Sequence, residues 1–154
     1  MANRYSTLEE NDINSMYHAV WQFKEAAYRC GKTYPITIAN VSKVLFIPQI
    51  VCLAFAIELE MKMISLLYKG RYISNNHDLI VLFNDLPEET IKQNCSSDIY
   101  NYLVENVSLH KEAFSDTRYY FQNNHSMHLD SKNFFEALED VLFKIVEFGY
   151  KHQK

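Results

Sequence analysis

The hydrophobic pattern centres on one long apolar stretch, residues 44–68. Its first half has Gln49 as its only polar side chain. Pro48 suits the first turn of a helix, and Gly70 suits the left-handed residue that ends one. A helix that is apolar on nearly every side must be buried on nearly every side. The stretch therefore predicts a central helix over about 48–69, against which the other helices pack.

A membrane-spanning helix is the alternative for this stretch. Glu58, Glu60 and Lys62 interrupt it, so the uncharged run is shorter than the ~20 residues that a bilayer requires. The pattern favours a soluble bundle with no membrane contact. Residues 1–10 lack the apolar core of a signal peptide, and three scattered cysteines are typical of reduced thiols. We therefore expect a cytoplasmic protein.

Helical spacing of apolar residues predicts another helix before the central one. It should begin at Asn11 or Asp12, which can cap it, and end at Gly31. Residues 32–42 contain proline and β-branched side chains, and we predict an ordered connection there. A short strand at 36–38 is the alternative, although the sequence shows no partner strand for it.

Shorter helices and one long helix are predicted after the central one. The shorter ones are expected over 77–86 with caps at Asn75 or Asn76, after Pro87, after Ser96 or Ser97, and over about 108–123. The last helix, capped by Asp130 or Ser131, has one wide apolar stripe. The stripe comprises Phe134, Phe135, Leu138, Val141, Leu142, Ile145 and Phe148.

Few residues that break helices are present. Only three glycines and three prolines occur among 154 residues, which predicts long helices with few tight turns. No internal repeat or linker divides the chain. We therefore predict an all-α fold, a single-domain up-and-down bundle of four to five main helices over residues 1–154, with residues 1–10 as a loose lead-in.

Charge and motif content exclude several function classes. The net charge of −4 argues against broad, sequence-blind binding to DNA, although a local phosphate site stays open. No glycine-rich nucleotide loop, Cys-x-x-Cys or His-Glu-x-x-His motif occurs. His125 and His128 would need a third ligand to hold zinc. We therefore predict no metal and no cofactor.

Two arginine–histidine spacings match the chemistry of metal-free RNA cleavage. Arg71 precedes His77, and Arg118 precedes His125. Histidine titrates near neutral pH, so it can accept the 2′-hydroxyl proton or donate one to the leaving oxygen. The arginine fork can hold the phosphate and stabilise its developing charge. Which of the two pairs matters stays open at this point.

Glu58 and Lys62 add charge to the otherwise apolar helix. They are four residues apart in the favourable orientation for an ion pair. Buried charges need a partner or a purpose. The pair is therefore either a salt bridge or a carboxylate that points at a site.

Three sequence blocks together resemble the HEPN superfamily. They are Phe55–Lys62, then His77-Asp78-Leu79 with Leu82-Phe83 and Leu86-Pro87, and then Phe114–Tyr119. Their order is similar to the branch that includes abortive-infection-like bacterial HEPN proteins, and it covers about 45–125. The resemblance implies a HEPN-like four- or five-helix bundle, usually dimeric. It also implies a metal-independent endoribonuclease of a toxin–antitoxin or anti-phage system.

The resemblance also implies roles for individual residues. The family's signature is an arginine, four to six residues and a histidine near the start of the last helix, and Arg118 and His125 match it. Arg118 would bind phosphate, His125 would do the acid–base work, and Glu58 would orient Arg118. Substrate contacts are expected from Tyr119, Lys62 and Asn124.

Partners follow from the same resemblance. They are RNA, a second copy of the chain, and an antitoxin such as a nucleotidyltransferase-like protein. Many members of the family are not nucleases, so the alternative is a non-catalytic interaction, scaffold or nucleotide-binding module. In that alternative Arg118 pairs with Glu58 and joins two helices.

Overall fold

The computed structural model describes residues 2–7, 10–32, 34–36, 41–43, 46–116 and 129–152. This part of the chain is mostly helical, which confirms the predicted all-α class. Its helices are α1 (Glu10–Cys30), α2 (Phe46–Lys69), α3 (Leu79–Asn84), α4 (Glu88–Asn94), α5 (Ser97–Asn106), α6 (Lys111–Asp116) and α7 (Leu129–His152). Its strands are β1 (Tyr5–Ser6), β2 (Tyr34–Ile36), β3 (Val41–Lys43) and β4 (Tyr72–Ile73).

The predicted central helix is confirmed as α2. It packs against both α1 and α7, and residues such as Ile50, Ile57 and Ile64 are fully buried. Gly70 adopts a φ of 70° just after its end, and its N–H donates to the carbonyl of Leu66 at 2.9 Å. Within the described ranges, no helix is long and apolar enough to cross a membrane.

Helix α7 confirms the apolar stripe except at its far end. Six of the seven predicted positions are buried, but Phe148 is 56% exposed and stacks on His152 instead. The prediction that Phe148 belongs to the core was therefore wrong. The predicted caps were also wrong, because the helix begins at Leu129, before Asp130 and Ser131.

The strands are the main departure from the predicted architecture. β2 and β3 pair antiparallel, with Tyr34 opposite Lys43 and Ile36 opposite Val41. The connection predicted over 32–42 therefore contains paired strands, and β3 is the partner strand that the sequence did not show. Of the alternative strand at 36–38, Ile36 lies in β2, and residues 37 and 38 lie outside the described ranges. β1 pairs antiparallel with β4, so Tyr5 and Ser6 are not part of a loose lead-in.

The short helices mostly begin where their capping residues predict. Ser96 caps α5, its hydroxyl accepting from the N–H of Ile99 at 3.3 Å, and Pro87 directly precedes α4. Helix α3 is capped by Asp78 rather than by the predicted asparagines at 75 and 76. The helix predicted over 108–123 appears as α6, and its later residues lie outside the described ranges.

Candidate active site around Glu58

Only part of the predicted site is described. Arg118, Tyr119, Asn124 and His125 lie outside the described residues, as does His128, so their roles stay predictions. Glu58 and Lys62 both lie on α2. In the described part of the chain, no group of three or more His, Cys, Asp or Glu side chains could hold a metal ion.

Glu58 and Lys62 form a buried ion pair. The Lys62 ammonium lies 2.8 Å from Glu58 Oε1, and the two side chains are only 7% and 8% exposed. This confirms the predicted pairing along the helix. Burial lowers the pKa of Lys62, because the charged ammonium loses water. The role of Lys62 as a substrate contact stays a prediction.

His77 binds the same carboxylate oxygen. Its Nδ1 lies 2.7 Å from Glu58 Oε1, while 54% of its side chain is exposed. A carboxylate can only accept hydrogen bonds, so Nδ1 carries the hydrogen. The other ring nitrogen, Nε2, then has the lone pair. A carboxylate that orients an imidazole in this way prepares it to act as a base.

The pKa of His77 is lowered from its usual value. Burial is the larger cause and the positive charge of Lys62 is the second. The Glu58 oxygen that His77 contacts is shared with the Lys62 ammonium. His77 is therefore mostly neutral at pH 7, the form that a general base needs.

The N-terminal segment holds the loop that carries His77. The N–H of Arg4 donates to Asn75 Oδ1 at 2.7 Å, and the N–H of Ser74 donates to the carbonyl of Arg4 at 2.8 Å. The guanidinium of Arg71 lies 4.3 Å from the ring centroid of Tyr5. Strand β1 therefore fixes the segment that leads from α2 to His77.

The structure describes one of the two predicted arginine–histidine pairs, Arg71 and His77. Within the described residues, Arg71 stacks on Tyr5 whereas His77 is bound to Glu58. The sequence pattern placed His77 in the spacing with Arg71 and in one family block, and it did not identify His77 as the partner of Glu58. No local pattern in the sequence identifies this contact, because the two residues are 19 positions apart and meet only in the folded chain.

The comparisons with known proteins add no assignment. No protein-family model matches this chain, and no curated protein or solved structure matches it. Membership of the HEPN superfamily stays a prediction.

We expect the pKa of His77 to rise in a Lys62→Met variant. The ammonium that disfavours the imidazolium is removed, while Glu58 remains to stabilise it. NMR titration of the His77 ring should give a midpoint below 6.5 in the wild type and a higher one in the variant. Lys144→Met removes the same charge from an exposed pair and should leave the curve unchanged. Equal midpoints in wild type and Lys62→Met would contradict this.

Proposed function

We propose that this chain is a HEPN-type RNA-binding protein that cleaves RNA without a metal ion. The observation that supports this most is the contact between His77 and Glu58. It provides a partly exposed, neutral imidazole whose Nδ1 lies 2.7 Å from a buried carboxylate. Metal-free cleavage of RNA requires such a base near the 2′-hydroxyl.

The proposed mechanism assigns one step to each group. Nε2 of His77 takes the 2′-hydroxyl proton, and the oxygen attacks the adjacent phosphorus. Glu58 stabilises the imidazolium that forms. Arg118 binds the phosphate and stabilises its developing charge, and His125 donates a proton to the leaving 5′-oxygen. The products are a 2′,3′-cyclic phosphate and a free 5′-hydroxyl.

The proposal includes the HEPN-like bundle, the dimer and the partner that the family resemblance implies. Two of the three sequence blocks that resemble HEPN proteins meet at one oxygen of Glu58, through Lys62 and His77. This convergence supports a HEPN-like bundle. We extend the proposal to a homodimer with two facing sites, and to a toxin–antitoxin or anti-phage role with a nucleotidyltransferase-like antitoxin as partner.

The proposal predicts cleavage of single-stranded RNA in the presence of EDTA. Wild-type protein should leave 2′,3′-cyclic phosphate ends, which phosphatase treatment and mass spectrometry can identify. Arg118→Ala and His125→Ala should each lower the rate at least ~100-fold, because each removes one acid–base or electrostatic step. Cleavage that needs Mg²⁺, or that survives both substitutions unchanged, would contradict the mechanism.

A non-catalytic interaction module is the second candidate. It is favoured by large apolar side chains exposed on and just after α5, namely Ile99, Tyr102, Val104 and Leu109, the last of them 72% exposed. Exposed apolar residues mark a protein interface where they form one contiguous patch. This candidate differs from the first in predicting no RNA cleavage by the wild type. It also predicts a loss of self-association in Leu109→Glu, measured by light scattering, with no RNA cleavage by either protein.

A further inference from the structure

A second buried carboxyl group lies on α2, at Glu60. Its side chain is fully buried, whereas Glu58, two residues earlier, contacts His77. Successive residues of a helix are rotated by about 100°, so Glu60 points to almost the opposite side of α2 from Glu58. Glu60 therefore lies outside the candidate active site, and its burial needs a separate explanation.

The described part of the chain offers Glu60 no ordinary hydrogen-bond donor. Both of its carboxyl oxygens are buried, and no N–H or hydroxyl group of the described residues reaches either one. An ionised carboxylate can only accept hydrogen bonds, and burial removes the water that would donate them. The charged form of Glu60 is therefore strongly disfavoured at this position.

The group that faces Glu60 from α7 is another carboxyl. Glu139 is 6% exposed and lies within hydrogen-bonding reach of Glu60. Glu139 has a cation of its own, because the Lys24 ammonium of α1 lies 2.6 Å from its Oε1. Glu139 therefore keeps the negative charge of the pair. Two carboxylates cannot hydrogen-bond to each other, so the contact requires a proton, and burial places that proton on Glu60.

The charges around Glu60 agree with this assignment. Burial is the main cause that raises the pKa of Glu60 well above its usual value of 4.5, and the negative charge of Glu139 is the second. The positive charge of Lys24 lowers this pKa, but its effect is smaller. Glu139 faces Glu60 from α7 and Lys24 faces it from α1, so both helices that pack on α2 contribute.

We propose that Glu60 is a neutral carboxylic acid that donates its proton to the Glu139 carboxylate. Glu60, Glu139 and Lys24 then form a chain of hydrogen bonds that joins α2, α7 and α1. Loss of the proton leaves two facing carboxylates in the core, so the packing of these helices weakens as the pH rises. This pH-sensitive contact is independent of RNA cleavage, because it shares no residue with the site around Glu58.

The variant Glu60→Gln isolates the effect of the proton. Glutamine has the size of the neutral acid and can donate an N–H to Glu139, but it does not ionise. Well below pH 4.5 a glutamate is neutral in the folded and the unfolded chain alike. Above that pH the unfolded chain loses the proton while folded Glu60 keeps it, so the stability of the wild type falls relative to the variant.

Urea unfolding between about pH 5 and about pH 8 measures this difference. The unfolding equilibrium constant of the wild type, divided by that of Glu60→Gln, should rise about tenfold per pH unit until the pH reaches the raised pKa of Glu60. Asp140→Asn is the matched control, since it removes a carboxylate from an exposed pair with Lys144. Its ratio to the wild type should stay within about threefold over the same range.

Infrared spectroscopy detects the proton without any unfolding. At neutral pH the wild type should show the C=O band of a protonated carboxylic acid, and Glu60→Gln should lack it. In Glu139→Gln the band should move to higher wavenumber, because an amide oxygen accepts a weaker hydrogen bond than a carboxylate does. Asp140→Asn should leave the band in place.

Three results would overturn the proposal. An unfolding ratio for Glu60→Gln that does not change with pH would show that Glu60 ionises equally in the folded and unfolded chain. A wild-type spectrum without the acid band, or a band that remains in Glu60→Gln, would show that Glu60 does not carry the proton. An acid band that stays unmoved in Glu139→Gln would show that Glu139 does not accept it.

Discussion

Replacing Glu58 with alanine is expected to lower the free energy of unfolding by about 3–5 kcal/mol. The substitution leaves the Lys62 ammonium without the carboxylate that lies 2.8 Å away, in a place where the lysine is almost fully buried. An uncompensated buried charge is far more costly than the loss of the pair itself. Urea unfolding followed by circular dichroism measures the change.

Two further variants distinguish the stability lost with the ion pair from a general loss of helix stability. Adding Lys62→Met to Glu58→Ala should recover part of the lost stability, because no unpaired charge remains. Asp140→Ala removes a carboxylate from the exposed pair with Lys144 and should cost no more than about 0.5 kcal/mol apart from helix propensity. A loss below about 1 kcal/mol in Glu58→Ala would contradict the buried-pair account.

Replacing Phe134 with alanine is expected to cost about 3–5 kcal/mol. Phe134 is fully buried on α7, and its ring stacks on His110 with centroids 4.5 Å apart. It also lies next to the rings of Tyr102 and Phe135. Truncation removes buried apolar surface and leaves a cavity that these rings can fill only in part. Thermal or urea unfolding measures the loss.

Phe148 provides the matched control for this prediction. The same substitution on the same helix removes a ring that is 56% exposed. We expect Phe148→Ala to cost less than about 1 kcal/mol, since only its stacking on His152 is lost. Similar losses in the two variants would show that Phe148 is covered by something in the folded protein. That result would contradict its placement here.

The long helices could be predicted because their patterns extend over many turns. The apolar run of α2 and the stripe of α7 each contain enough residues to establish a period. Strands of two or three residues, such as β1 and β4, are too short to show the alternation of apolar and polar residues that predicts a strand. The exposure of Phe148 could not be predicted either, because an apolar stripe does not show which of its positions the neighbouring helices cover.

The candidate site was predicted in part for a similar reason. Glu58 and Lys62 are four residues apart on one helix, so their pairing is a local fact that the sequence contains. His77 reaches Glu58 across 19 residues, after β4 has paired with β1. Contacts of this kind depend on tertiary structure. The same holds for Glu60 and Glu139, which lie on different helices.

The rate of RNA cleavage by His77→Ala shows whether His77 is the general base. The measurement is a single-turnover reaction on single-stranded RNA in EDTA, with wild type and Lys144→Met as references. If His77 is the base, both references should cleave and leave 2′,3′-cyclic phosphate ends, and His77→Ala should be at least ~100-fold slower. A His77→Ala protein that unfolds like the wild type and cleaves at the same rate would contradict it.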